Sequence, residues 1–167
     1  NAKKHFEKTL VEISGELVGS VAALEHPTKN KKLNYGEIFL RDNVPVMIYL
    51  ITQKRYEIVK KFLSVCLDLQ SSNYQTRGVF PTPLVEEDGK LIGDYGQRSI
   101  GRITSADASL WWPILCWYYV NKSGDYAFGK SQSVQRGIQL LLDLVLHPTF
   151  EGTPVLFVPD CAFMIDR

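Results

Sequence analysis

The run Leu40-Arg-Asp-Asn-Val-Pro-Val-Met-Ile-Tyr-Leu-Ile-Thr-Gln-Lys-Arg-Tyr-Glu-Ile-Val-Lys-Lys-Phe-Leu-Ser-Val-Cys-Leu-Asp-Leu69 decides the fold. Val46, Met47, Leu50 and Ile51 recur at helical spacing, which predicts a helix starting near Arg41-Asp42. Pro45 is compatible with that helix only in its first turn. From Tyr56 to Leu69, the residues Ile58, Val59, Phe62, Leu63, Cys66 and Leu69 again share one helical face. The link between the two, Thr52 to Arg55, is so short that the helices must be antiparallel neighbours.

Upstream, Phe6, Leu10, Ile13, Leu17, Val21 and Leu24 step by four and three, which predicts a further helix ended by His26-Pro27. Gly15 and Gly19 weaken it by roughly 1 kcal/mol each against Ala, so close packing on a neighbour is expected there. Downstream, glycines and prolines break any helix from Ser71 to Gly101. Within that region Glu87-Asp-Gly89 lies between two apolar stretches and reads as a turn or small hairpin. Helix resumes from about Ser105 to Val120 and again from Ser133 to Leu146, with a turn at Asn121 to Asp125. Val155 to Val158 reads as a short extended piece. The reading is all-α: paired antiparallel helices with elaborated loops at one end.

The chain has 167 residues, 45% of them hydrophobic and 11% aromatic, enough for one folded domain with a real core. A net charge of +1 gives no electrostatic case for nucleic acid or an anionic membrane. Lys29-Asn30-Lys31-Lys32 reads as a solvated turn. No apolar run reaches the roughly 18 residues of a membrane span. Cys66, Cys116 and Cys161 lie far apart; the first two sit in apolar helical patterns, as buried free thiols of a reducing compartment would. The polar start without Met shows no signal peptide, and with the abrupt end at Arg167 it suggests a piece of a longer chain.

Two stretches carry chemistry. Ile100-Gly-Arg-Ile-Thr-Ser-Ala-Asp-Ala-Ser-Leu-Trp-Trp112 sets Asp107 a few residues before a Trp pair, at the start of a helix. Aromatic faces stack on sugar rings while a carboxylate reaches a hydroxyl or the glycosidic oxygen. Asp107 has two readings. It is either the capping-box partner of Thr104 or a general acid. A helix N-terminus favours a charged carboxylate, whereas a general acid must keep its proton. Trp111 and Trp112 point about 100° apart on a helix, one for the core and one for a pocket, or both for the core. Pro113 then either kinks that helix or marks its start.

The second stretch, Asn34-Tyr-Gly-Glu-Ile-Phe-Leu-Arg-Asp-Asn-Val-Pro45, places Arg41 and Asp42 among apolar residues. They form either a local ion pair and cap, or a polar edge that binds sugar hydroxyls. Asp94 and Gln97, in the loop region, are further candidates. The three His residues are not at metal-ligand spacing, and neither a phosphate-binding Gly loop nor a Gly-x-Ser-x-Gly elbow occurs.

Several runs resemble the alkaline/neutral invertases, cytosolic sucrose hydrolases of plants and cyanobacteria. Phe39-Leu-Arg-Asp-Asn-Val-Pro45 is similar to that family's Phe-Val-Arg-Asp-Phe-Val-Pro. Asp94-Tyr-Gly-Gln-Arg-Ser-Ile-Gly-Arg102 is similar to its Asp-Phe-Gly-Glu-Ser-Ala-Ile-Gly-Arg. Ala106-Asp-Ala-Ser-Leu-Trp-Trp112 resembles its Val-Asp-Ser-Gly-Phe-Trp-Trp. Asp160 to Arg167 resembles its Asp-Gly-Cys-Ser-Met-Ile-Asp-Arg.

The resemblance implies an (α/α)6 toroid of six helical hairpins. Residues 1–167 would supply roughly its first half, as the N-terminal part of one catalytic domain, with a long active-site loop region at about 71–104. It implies hydrolysis of sucrose from the glucose side with inversion. Asp107 would be the general acid and Arg41 and Asp42 ligands of the glucose hydroxyls. Asp94, Gln97 and Trp111 would be further substrate contacts. No metal or cofactor is implied. The expected partners are a small sugar, the rest of the same chain and a possible second copy, in the cytoplasm, with neither nucleic acid nor membrane. The opposing carboxylate would lie beyond this chain, which alone should be inactive. The other reading is a non-catalytic helical module that binds sugar or protein through its Trp-lined loop end.

Overall fold

The computed structural model describes residues 2–21, 36–73, 76–95 and 106–146. Gln97, Thr104, Cys161, the Lys29–Lys32 turn, the extended piece at 155–158 and the run 160–167 lie outside them.

The described elements are α1 (Ala2–Glu7), β1 (Leu10–Ile13), β2 (Glu16–Ser20), β3 (Ile38–Phe39), α2 (Leu40–Thr52), α3 (Tyr56–Asp68), β4 (Pro83–Glu87), β5 (Lys90–Gly93), α4 (Ala106–Ser123), α5 (Tyr126–Gly129) and α6 (Gln132–Val145). The helices expected from the run at 40–69 are α2 and α3, and those expected downstream are α4 and α6. The α2–α3 link turns on Lys54, whose φ is +59°. Arg55 N–H bonds the Leu50 carbonyl and Lys54 N–H that of Ile51. That pairing is a Schellman motif, here with Lys in the place glycine usually takes.

The all-α expectation needs correction, because the described residues hold five strands besides the helices. The helix expected over Phe6–Leu24 is, in its described part, a short helix followed by the β1–β2 hairpin. Ser14 (φ +52°) and Gly15 (φ +82°) form a two-residue loop with both φ positive. Such a type I′ turn matches strand twist and reverses the chain where a helix would continue. The register slips by one between Val11 and Glu12. The close packing expected at the two glycines exists only at Gly19, and there on a strand: a Cβ on Gly19 would meet the Ile38 side chain at 2.6 Å, whereas one on Gly15 would meet nothing within 4 Å. The expected hairpin at Glu87-Asp-Gly89 is present as β4–β5. It turns on Asp88 and Gly89, again with both φ positive. β4 also pairs with β3, giving a three-stranded antiparallel sheet in the order β3-β4-β5.

The core forms where α2, α3 and α4 meet. Met47 and Leu50 come from α2, Val59, Phe62, Leu63 and Cys66 from α3, and Ala108, Trp112 and Leu115 from α4. All are buried. The β1–β2 hairpin lies on α3, tethered by an ion pair between Glu16 and Lys61. At the far end of α4, Gly124 (φ +76°) stops the helix and Asp125 caps α5 by accepting Phe128 N–H. Hydrogen bonding from Lys60 at 2.7 Å, then from Phe128 N–H, holds the Asp125 carboxyl below the usual range. Burial pushes Tyr119 beside it up to about 12. Burial also raises both described thiols, Cys66 strongly and Cys116 to about 11, which leaves them inert.

Pro45 and Pro113 both sit inside helices. Pro45 falls in the second turn of α2, beyond the first turn to which the sequence reading confined it, and α4 continues through Pro113. Neither donates an N–H, so one backbone hydrogen bond is missing just past the first turn of α2 and again in the second turn of α4.

Candidate functional site

The sheet decides where the site stands. Leu40 N–H bonds the Thr82 carbonyl at 2.9 Å, and Thr82 N–H bonds the Asp94 carbonyl at 2.9 Å. The start of α2, the entry to β4 and the exit from β5 are therefore fastened side by side. Asp94 is buried there, its N–H on the Pro83 carbonyl at 3.0 Å.

On the other side, Phe80 ties this end to α4. Its ring stacks on Trp112 with centroids 4.6 Å apart and planes 15° from parallel. Its N–H bonds the Ser109 hydroxyl at 3.0 Å. The Trp112 indole N–H reaches the Leu63 carbonyl of α3 at 3.0 Å. Trp112 is thus the core member of the Trp pair, and Trp111 is the outward one, 37% exposed. Trp111 follows Asp107 by four residues, which places both on one face of α4.

At the junction Arg41 spans two carboxylates. Its Nη1 lies 3.6 Å from Asp107 Oδ1 and its Nε 3.8 Å from Asp42 Oδ1. The Asp107 side chain keeps only 18% of its exposure, against 46% for Asp42. The structure therefore brings Arg41, Asp42 and Asp107 together at the starts of α2 and α4. Asp94 sits at the adjacent strand end and Trp111 beside Asp107. Such a cluster offers two acceptors, one planar donor fork and an aromatic face, a set suited to a polyhydroxylated ligand. Of the two carboxylates on Arg41, Asp107 is the more shielded.

One residue of this end escaped the sequence reading. Asn43, buried, accepts Ser20 N–H at 2.8 Å and donates to the carbonyls of Ser20 at 2.9 Å and Phe39 at 2.8 Å. It pairs with the end of β2 as a neighbouring strand would. An Asn inside an apolar helical stretch was the available signal, since a buried amide must find partners. Asn43→Ala leaves the Ser20 N–H and carbonyl buried without that partner and should cost about 3 kcal/mol. Urea unfolding checks this; a loss under about 0.5 kcal/mol, the range of a neutral surface change, would refute it.

Among the described residues no three His, Cys, Asp or Glu side chains gather as a metal would require. Nor is any helix among them long and apolar enough to cross a membrane.

The family model described as alkaline and neutral invertase matches residues 2–167. The mitochondrial neutral/alkaline invertase 1 of Oryza sativa subsp. japonica is 37% identical over 96% of this chain and 28% of its own length. Cytosolic invertase 1 of the same plant is 32% identical over 100% of the chain and 32% of its own length. The chloroplastic alkaline/neutral invertase E of Arabidopsis thaliana is 33% identical over 96% of the chain and 28% of its own length. The chain thus spans about a third or less of the curated relatives it matches.

Proposed function

This chain belongs to the alkaline and neutral invertase family, and from that premise we propose that it forms part of the catalytic domain of a hydrolase that splits sucrose into glucose and fructose. The observation that carries this reading is the Arg41 bridge, which gathers Asp42 and Asp107 from separate helices onto one guanidinium. In the proposal Asp107 protonates the glycosidic oxygen as the bond to the glucose anomeric carbon breaks. Arg41 and Asp42 hold glucose hydroxyls, Asp94 and Gln97 add polar contacts, and Trp111 offers its face to the ring. The helical hairpin α2–α3 and the helices α4 and α6 would belong to an (α/α)6 toroid completed by the rest of the enzyme.

Inversion requires a second carboxylate on the opposite face of the sugar, about 6.5–9.5 Å from Asp107, to activate water. Asp42 is not assigned that part. It shares a counter-ion with Asp107 and is the more exposed of the two. The base is assigned to the remainder of the enzyme, so the chain by itself is inactive in this reading. A cytoplasmic location belongs to the same proposal. It is supported by the buried reduced thiols and by the cytosolic relative, alongside relatives named for mitochondria and chloroplasts.

The test is glucose release by the complete protein from sucrose, with raffinose and trehalose beside it. Release from sucrose, with glucose appearing first as the β-anomer, is the expected result. Silence on all three sugars would overturn the sucrose hydrolase reading in favour of another glucoside or a binding module.

A further inference from the structure

Two arginines outside this site, Arg77 and Arg136, line a surface cleft of about 230 Å³ together with Leu140, Asp143 and Leu144. Arg77 lies in the loop after α3 and Arg136 on α6. One side chain fastens both backbones. Gln70 Nε2 donates to the carbonyl of Gly78 at 2.8 Å and to that of Gly137 at 2.9 Å, the residues that directly follow the two arginines. Gly78 (φ +99°) lets the loop lie flat on α6, since a Cβ there would sit 2.4 Å from the Leu140 carbonyl oxygen. The backbones that carry the two arginines are therefore fastened to each other by the fold, and both side chains line the one cleft.

Among the described residues neither guanidinium has a hydrogen-bond or ion-pair partner. Asp143, in the same cleft, is occupied by Gln139, which donates to it at 2.6 Å. Two like charges lining one small space repel, and an anion between them relieves that repulsion. The volume is below the roughly 300–1,000 Å³ of drug-sized pockets, so the ligand is small. A bare anion would also meet the Asp143 carboxylate, whereas a ligand with hydroxyls would present donors to it.

We propose that this cleft binds a small hydroxylated phosphomonoester of the monosaccharide phosphate class. Its phosphate lies between Arg77 and Arg136, a hydroxyl donates to Asp143, and its carbon skeleton rests on Leu140 and Leu144. The site is separate from the Arg41–Asp107 cluster and does not depend on the reaction assigned there.

Calorimetric titration of the complete protein at low salt tests it, using glucose 6-phosphate, inorganic phosphate and glucose as probes. Glucose 6-phosphate should bind saturably and at least tenfold more tightly than inorganic phosphate, with glucose silent. Arg77→Gln and Arg136→Gln should each weaken glucose 6-phosphate by about tenfold or more, the effect of one charge-assisted hydrogen bond. Asp143→Asn should narrow the gap between the two phosphates. Both arginines are exposed, so circular dichroism of the variants should match the parent. No saturable binding of glucose 6-phosphate, or binding unchanged in both arginine variants, overturns the site. Equal affinity for the two phosphates overturns the hydroxylated ligand class.

Discussion

Asp107→Asn in the complete enzyme is expected to lower kcat for sucrose by about 10²- to 10⁴-fold, the range general acid catalysis supplies. Asn keeps the size and polarity of the side chain, so KM should move little. The loss then falls on the step in which the fructose oxygen leaves. A substrate whose leaving group needs no proton separates this from structural damage. Glucosyl fluoride loses its fluorine as fluoride ion when the anomeric C–F bond breaks, so the variant should hydrolyse it far better, relative to the parent, than it does sucrose. An equal loss on both substrates would remove Asp107 from the acid's place. Full activity on sucrose would remove it from the mechanism altogether.

The second large effect separates the two adjacent indoles. Trp112→Ala should destabilise the chain by about 4 kcal/mol. It removes a fully buried side chain, the stack on Phe80 and the hydrogen bond to the Leu63 carbonyl. Trp111→Ala removes a partly exposed ring and should cost under about 1 kcal/mol. Urea midpoints of the two variants give the comparison. The order should reverse for sugar affinity, which Trp111→Ala weakens in the proposed site. Similar destabilisation by both would contradict the division of labour between them.

The helices were legible in the sequence because a 3.6-residue apolar period is a strong local signal over a dozen residues. Tyr56–Asp68 is the clearest case, its Ile58, Val59, Phe62, Leu63 and Cys66 all buried. The β1–β2 hairpin was not, because Phe6, Leu10, Ile13 and Leu17 fit a helical period by accident of spacing. What decided the matter was two residues, Ser14 and Gly15, whose positive φ outweighs the pattern around them. The same signal at Asp88-Gly89 was read correctly, since there no helical period competed with it. β3 is too short to be seen at all and exists only because β4 is beside it.

At the site, Arg41 and Asp42 stood out as charges in an apolar stretch, and Asp107 as an acid a few residues before a Trp pair. Their meeting on one guanidinium did not, because it is set by how α2 and α4 pack. Asn43 shows the same limit: its partner Ser20 lies on a strand that the local pattern had read as helix.

The two prolines give this end of the molecule a further property. Each proline removes one hydrogen bond from the helix that begins at the proposed site, and the start of α2 is also held by the bond from Leu40 N–H to the Thr82 carbonyl. A helix that lacks one of its own hydrogen bonds resists bending less at that point. A change that shifts Arg41 or Asp107 by a fraction of an ångström need not be propagated down thirteen or eighteen residues of helix into the core. The spacing of Arg41 and Asp107 can therefore adjust at the helix starts with less disturbance further along the helices.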